Sequence, residues 1–294
     1  MAEVEKISWI GCGKVGMTLA RGLRIGGYQI GKIICKHQEN ANKARKFIGA
    51  GEAGTDLISA VDSGSVHFIT TNDNSIGSVV ELIEREGPAS LTDHYFFHTS
   101  GAISSKILEP LQDKGAEVAS VHPLQVFANP AKALETLPGI YYAIEGTDRA
   151  MALAVQMVAH LQGKLLLIPT GRKVLYHVAG VFAANYLMVL VALALSIMED
   201  LGEAPEDSYQ AFLPLMVSAL QNVEEFGVGG ALTGPITRGD SDTIKKHLEA
   251  LQELRPEIVR VYKVLGQQAL DIALRGSRIS PERAGELRDL LESS

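Results

Sequence analysis

Ile7-Ser8-Trp9-Ile10-Gly11-Cys12-Gly13-Lys14-Val15-Gly16-Met17-Thr18-Leu19-Ala20 lies close to the amino terminus of a 294-residue chain. The apolar run Ile7–Ile10 reads as a buried strand, and the stretch from Met17 to Leu23 reads as a helix. Between them stands G-x-G-x-x-G, in the strand–turn–helix setting that a dinucleotide fingerprint requires. Each glycine has its own reason. Gly11 permits the tight turn, Gly13 lets a pyrophosphate approach the backbone, and Gly16 lets the helix pack closely on the sheet. The helix N-terminus then offers unpaired N–H groups and a partial positive charge to phosphates. Gly11, Cys12, Gly13, Lys14, Val15 and Gly16 are accordingly expected at a cofactor.

The composition, 46% hydrophobic and 21% charged, is that of a globular protein long enough for two domains. A net charge of −7 without a basic stripe speaks against a nucleic-acid partner. Two cysteines make no disulfide framework, and no apolar leader precedes the first strand, so a cytoplasmic protein is expected. From Val174 to Met198 the clearly polar side chains are His177, Asn185 and Ser196, a length that would span a bilayer. Arg172-Lys173 before it, Glu199-Asp200 after it and the polar interruptions favour a buried helix of a soluble protein, or a subunit interface, with no membrane partner.

The first half alternates β-rich and helical runs, which implies a parallel sheet covered by helices. Strands are expected at 7–10, 29–35, 65–70, 95–98, 117–122, 140–145 and 164–169, with helices at 15–26, 40–48, 75–84 and 148–161. After Pro169-Thr170-Gly171 no strand pattern recurs. Pro205 and Pro256 sit at first-turn positions, Ser280-Pro281-Glu282 reads as a cap followed by a first-turn proline, and glycines at 202, 227–230 and 276 punctuate the helices. The expected architecture is α/β: a doubly wound Rossmann domain over 1–169, then an all-α domain over 170–294 that opens with one helix from about 172 to 201.

Folds of this kind that prefer NAD carry an acid at the end of the second strand. Here the strand ends Cys35-Lys36-His37, with no acid before Glu39. Lys36 and His37 can pair with a 2′-phosphate, which points to NADP as cofactor; the alternative is a solvated loop. Ligands in open α/β sheets bind beyond the carboxyl ends of the strands, so Thr71 and Asn72, Ser100, and His122 are further candidates, the first three for cofactor and His122 for substrate.

Lys173 and His177 are four residues apart and share one helical face. An ammonium and an imidazole there can stabilise the charge that hydride transfer builds on oxygen and can supply a proton, so both are candidate catalytic residues. A junction cap and a satisfied core histidine are the alternatives. Asn185 lies roughly 12 Å further along the helix, suited to a distal part of the substrate or to a buried helix contact. In the loop from Gly229 to Asp240, Arg238 can clamp an anionic substrate or stand as a surface charge, and Asp240 reads as a helix cap. No metal-ligand spacing is evident.

These segments, above all Leu232-Thr233-Gly234-Pro235 with Arg238-Gly239-Asp240, together with His98-Thr99-Ser100-Gly101-Ala102 and the seven residues from Val121 to Phe127, resemble the "Rossmann-like plus domain of unknown function 2520" proteins. The wider group includes 6-phosphogluconate dehydrogenase, 3-hydroxyisobutyrate dehydrogenase, ketopantoate reductase and pyrroline-5-carboxylate reductase. The resemblance implies an NADP-binding Rossmann domain, a 6-phosphogluconate-dehydrogenase-like helical domain and a homodimer formed through its long helices. In the wider group a Lys and, four residues later, an Asn open the first helix after the Rossmann domain. Lys173 matches the Lys, whereas His177 stands at the Asn position. His122-Pro123 is similar to the His-Pro pair of prephenate dehydrogenases, which implies a place near the substrate. The expected function is NADP(H)-dependent oxidation or reduction of a small carbonyl, hydroxy-acid or imine substrate; a deazaflavin-linked NADP oxidoreductase and a non-catalytic NADP(H) sensor are the alternatives.

Overall fold

The computed structural model describes residues 6–169 and 171–293. The chain forms two compact units, one up to Asn185 and one from Tyr186 onward. The composition changes earlier, at 169–171, and Thr170 itself lies outside the described residues.

In the first unit β1 (Lys6–Ile10), α1 (Lys14–Ile25), β2 (Gln29–Ile34), α2 (Gln38–Ile48), β3 (Glu52–Gly54), α3 (Leu57–Asp62), β4 (Val66–Ile69), α4 (Asp73–Glu86) and β5 (Tyr95–His98) follow in turn. A short α5 (Glu109–Gln112), β6 (Glu117–Pro123), α6 (Pro130–Glu135), β7 (Tyr141–Gly146), α7 (Asp148–His160) and β8 (Lys164–Leu167) complete the sheet layer. The sheet has eight strands in the order β3-β2-β1-β4-β5-β6-β7-β8. The three residues of β3 are too few to register as a strand in a hydropathy pattern.

The sheet is parallel except at one step: β7 runs antiparallel to β6. This corrects the expectation of an all-parallel sheet. The chain returns from β6 to β7 through the six-residue α6 and its loops, without a full crossover helix packed on the sheet, so it re-enters from the opposite end.

Both faces of the central strands are covered, as buried parallel strands demand, whereas the four residues of the edge strand β8 are exposed. Successive side chains alternate between the faces. On one face Trp9, Phe68 and Phe97 stand at paired positions of β1, β4 and β5 and stack at centroid separations of 4.6 and 5.0 Å. Leu19, Ala20 and Leu23 of α1, with the small residues of α2 and α7, close over them. On the opposite face Ile10, Ile69 and Phe96 meet Ile76, Val80 and Ile83 of α4. Buried positions in α1 recur at 16, 19, 20 and 23, one stripe of a helix.

The remaining helices are α8 (Lys173–Gly180), which continues through a π-type turn at Val181–Tyr186 into α9 (Leu187–Asp200), then α10 (Pro205–Ala231), α11 (Pro235–Arg238), α12 (Ser241–Leu254), α13 (Pro256–Arg275) and α14 (Pro281–Glu292). Among the described residues no strand follows β8. Pro205, Pro256 and Pro281 occupy first turns, and Asp240 and Ser280 cap α12 and α14 by accepting from the N–H groups of Thr243 and Arg283. Gly227, at φ +67° and ψ 170°, is non-helical and breaks α10 into two helical stretches at a kink, as its place among the punctuating glycines predicts. Ile244, Leu270, Ala273, Leu287 and Leu291 form a core of the second unit.

The apolar stretch Lys173–Asp200 forms 28 helical residues with a mean hydropathy of 2.2, long and apolar enough by length and composition to cross a membrane. Its most apolar stretch is not buried within the chain. That differs from the expected buried helix. Met188, Val189 and Leu190 are all exposed.

Two core histidines tie stability to pH. His67 and His98 are wholly buried, and burial is the chief cause that brings each down to about 3, helped by the charge of His94 on the first and of Lys173 on the second. Both rings are neutral in the folded chain, while the unfolded chain takes up a proton near 6.5. Stability is therefore complete above about 6.5 and is lost as pH falls below it, since the unfolded state then binds protons that the native state does not. Urea unfolding between pH 7 and 5 should show falling stability, and His67→Leu should flatten that slope by up to about 1.4 kcal/mol per pH unit. An identical slope in the variant would disprove the assignment to His67.

Candidate active site

Strand order reverses between β1 and β4, and a cleft opens there at their carboxyl ends. Gly11, at φ +77°, accepts a 2.8 Å hydrogen bond through its carbonyl from the Thr70 hydroxyl, and a side chain at Gly11 would strike Thr71. A Cβ on Gly16 would come within 2.3 Å of Thr70 Oγ1, so this glycine lets α1 pack on the end of β4. Gly13 differs from both. Nothing lies within 4 Å of where its Cβ would stand, and it opens α1 with no side-chain cap and no acid in the first turn. Free N–H groups thus face an open cleft, which is what a pyrophosphate needs. The residues present fit a dinucleotide.

The cleft, about 440 Å³, is lined by Gly11, Cys12, Gly13 and Lys14 on one side and by Thr71 and Asn72 on the other. Lys36 stands at its rim together with Asn40 and Lys43 of α2. Lys43 escaped the sequence reading, although its spacing from Asn40 places both on one face of α2. His37 occupies the N-cap position of α2, is exposed and does not line the cleft, nor does Val15. Cys12 and Cys35 are both free thiols, and burial pushes both upward.

A second cluster forms where β5, β6 and α8 meet. Lys173, 1% exposed, donates from Nζ to the carbonyl of Ser100 and to the hydroxyl of Ser120. Ser100 Oγ in turn donates to Asp73 Oδ2 at 2.9 Å, so Ser100 belongs with the lysine instead of lining the cofactor cleft. Glu145 stands opposite Ser120 in the β6–β7 ladder and is 2% exposed. Its Oε1 accepts from the Ser105 N–H at 2.8 Å, while Oε2 is buried with no hydrogen-bond partner. Burial brings Lys173 down to about 8, against the opposing pull of the Glu145 and Asp73 charges.

His122 lies on the same face of β6 as Ser120, two residues on. Its Nδ1 is 2.8 Å from the hydroxyl of Tyr176, three residues beyond Lys173 on α8. Burial, then the charges of Lys173 and His177, bring His122 down to about 4. Burial raises Tyr176 to about 12. His177 is exposed, and its Nδ1 faces Gly101. Lys173, His177, His122 and Ser100 are thus gathered on one side of the first unit. Ser120 and Tyr176 were missed, though their spacings of two from His122 and three from Lys173 carry the signal. Asp73 follows Thr71 and Asn72 in the same strand-end segment, whereas Glu145 carries no such signal and joins the cluster only through tertiary pairing.

Asn185 is exposed on the π-type turn, with no buried helix contact. Arg238 ends α11 in the second unit, exposed, and its carbonyl accepts from Arg283. Among the described residues no group of three His, Cys, Asp or Glu side chains is placed to hold a metal ion.

Known structures share this architecture. Protein TM1727 from Thermotoga maritima is 25% identical, with 92% of this chain and 99% of that one aligned at a TM-score of 0.70. A pyrroline-5-carboxylate reductase from Coxiella burnetii is 16% identical over 97% and 99% of the two chains, at a TM-score of 0.59. A reductive aminase from Aspergillus terreus, in complex with NADPH and ethyl-5-oxohexanoate, is 15% identical over 99% and 93%, at 0.62. No protein of curated function matches the sequence significantly. Residues 140–269, from the start of β7 into α13, match the model of a domain of unknown function, DUF2520. The chain thus combines a segment similar to DUF2520 with a Rossmann-like α/β fold.

Proposed function

We propose that this protein is an NADP(H)-dependent oxidoreductase acting on a small carbonyl, hydroxy-acid or imine substrate. One observation carries the reading: the dinucleotide cleft and the buried lysine are two hydrogen bonds apart. Asn72 lines the cleft, and the next residue, Asp73, accepts from Ser100, whose carbonyl accepts from Lys173. Solved structures of the same fold that hold NADPH support it.

A bound nicotinamide supplies the hydride, and the chain supplies position and charge. Gly13 and the N-terminus of α1 receive the pyrophosphate. Lys36 and Lys43, with no acid at the end of β2, receive a 2′-phosphate, which selects NADP over NAD. An ammonium has three donors, and Ser100 and Ser120 occupy two on Lys173. The third is free to stabilise charge on a substrate oxygen or nitrogen. A lysine brought to about 8 also serves as a proton donor near neutrality. His122 and His177 contact substrate beside it.

The exposed apolar side chains of α9 continue on α10 with Leu213, Leu215, Val217 and Leu220. A second copy of the chain, in a homodimer formed through these helices, is the proposed cover. Contiguous exposed apolar surface of this extent marks an interface.

Charge-assisted contacts of this type are worth about 1.5–3 kcal/mol, so Lys36→Glu with Lys43→Glu should weaken NADPH binding roughly tenfold to a hundredfold and leave NADH almost unaffected. Equal loss for both cofactors in a fluorescence titration would remove the 2′-phosphate assignment. Across a panel of keto acids, ketones and cyclic imines, NADPH should be consumed, and reduction should decline as pH rises through about 8 and the Lys173 ammonium is lost. Lys173→Met should keep NADPH affinity and lower turnover about a hundredfold or more. Binding without turnover on every compound would favour a sensor instead. Sedimentation in detergent-free buffer should give a dimer. A stable monomer, or a protein recovered only with detergent, would reject that interface.

A further inference from the structure

One buried rung of the sheet is polar. His98 of β5, Ser120 of β6 and Glu145 of β7 are directly paired across the three strands, and none is more than 2% exposed. Paired residues point to the same face of a sheet, so the three side chains stand in a row. Two residues earlier on that face, β5 and β6 carry Phe96 and Val118 in the apolar core against α4. Lys173 reaches the middle of the row, where its Nζ donates to Ser120 Oγ. Among the described residues Lys173 and Glu145 are the only Lys, Arg, Asp or Glu side chains that are buried, and no direct ion pair joins them. What they share is Ser120: one is bound to it, and the other is its ladder partner.

The Ser105 N–H fixes one oxygen of Glu145, and the other is buried without a partner. A carboxylate so placed is costly unless a cation lies near. Lys173 is the buried cation, and the Glu145 charge acts on it. Asp73 also acts on it, but Asp73 is exposed, and water weakens its hold. The other titratable groups about the lysine are His98 on β5, His122 on β6, and Tyr176 and His177 on its own helix. His98 and His122 are neutral near neutral pH, Tyr176 keeps its proton there, and His177 is exposed. Glu145 is thus the one counter-charge that water does not dilute.

We propose that Glu145 is the positioning residue of the cluster: a fixed counter-charge, set apart from Lys173 by the Ser120 rung, that keeps the lysine an ammonium without occupying the donor a substrate needs. Direct contact would take up the third N–H of Lys173. At the remove of one serine the attraction persists and that N–H stays open. Glu145 holds its charge in place and does not relay protons, since it is hydrogen-bonded neither to Ser120 nor to Lys173 and is cut off from water. The proposal rests on the oxidoreductase reading only for its effect on turnover. The charge pairing stands without it.

The test is a pH titration of full-length protein labelled with carbon-13 lysine, the Lys173 signal being assigned by its loss in Lys173→Met. The wild-type midpoint should lie near 8. It should fall clearly in Glu145→Gln, fall less in Asp73→Asn, and stay near the wild-type value in Glu145→Asp, which keeps the charge. Turnover of NADPH above the midpoint should drop in step, about tenfold for each pH unit that the midpoint moves. A midpoint unchanged or raised in Glu145→Gln would overturn the proposal, as would equal shifts in Glu145→Gln and Glu145→Asp. Urea midpoints give a second reading that does not need Glu145→Gln to fold alone. Lys173→Met leaves a buried carboxylate without its cation, so adding Glu145→Gln to it should raise the midpoint. A further fall in the double variant would overturn the pairing. The titration shifts in a protein that consumes no NADPH would keep the pairing and reject the oxidoreductase reading, so the two fail separately.

Discussion

A lysine with 1% of its surface exposed imposes a demand that the surrounding chain has to meet. An ammonium taken out of water costs several kcal/mol unless it is hydrogen-bonded and its charge is balanced. Lys173 gains both. The Ser100 carbonyl and the Ser120 hydroxyl accept from it, and the Glu145 and Asp73 carboxylates draw its pKa back up against burial. Four elements are committed by this one group. The ends of β5 and β6 must stand in register, β7 must bring Glu145 opposite Ser120, and the start of α4 must bring Asp73 to Ser100. The antiparallel β7, which departs from an otherwise regular fold, is the element that supplies the buried carboxylate.

The same charge sets the chemistry of its neighbours. His98 and His122 are held neutral first by burial and then by the Lys173 ammonium. A single cationic group among neutral hydrogen-bonding rings can polarise an oxygen, while the Asp73 and Glu145 carboxylates balance its charge. The link through Ser100 and Asp73 then couples this cluster to the loop that lines the dinucleotide cleft. Cofactor cleft and lysine are thus held at a fixed separation by the end of one strand.

What could be read from the sequence was what depends on local periodicity. The glycine loop, the alternation of strands with helices, the first-turn prolines and the Asp240 and Ser280 caps all rest on residues within a few positions of one another. Of the three glycines, Gly13 faces open space, and Gly11 and Gly16 are packed against Thr71 and Thr70. Lys173 and His177 were legible because four residues is a helical repeat. Glu145 was not, since antiparallel pairing across β6–β7 leaves no mark in spacing. The exposed apolar helix was misread for a different reason. Hydropathy records that a face avoids water but not whether the cover comes from the same chain.

The place of α8 in the molecule follows from these constraints. Composition changes at 169–171, where the strands end, yet the compact unit continues to Asn185. The physical reason is in the side chains of α8. Lys173 is bound to Ser100 and Ser120, Tyr176 to His122, and His177 faces Gly101. A helix that places three of its first five residues on the ends of β5 and β6 cannot part from the sheet without exposing a buried ammonium's partners. Its helical hydropathy assigns it to the region that follows, while its polar residues anchor it to the sheet before it. For this helix the few polar contacts decide the allegiance, because those of Lys173 satisfy an ammonium that water cannot reach.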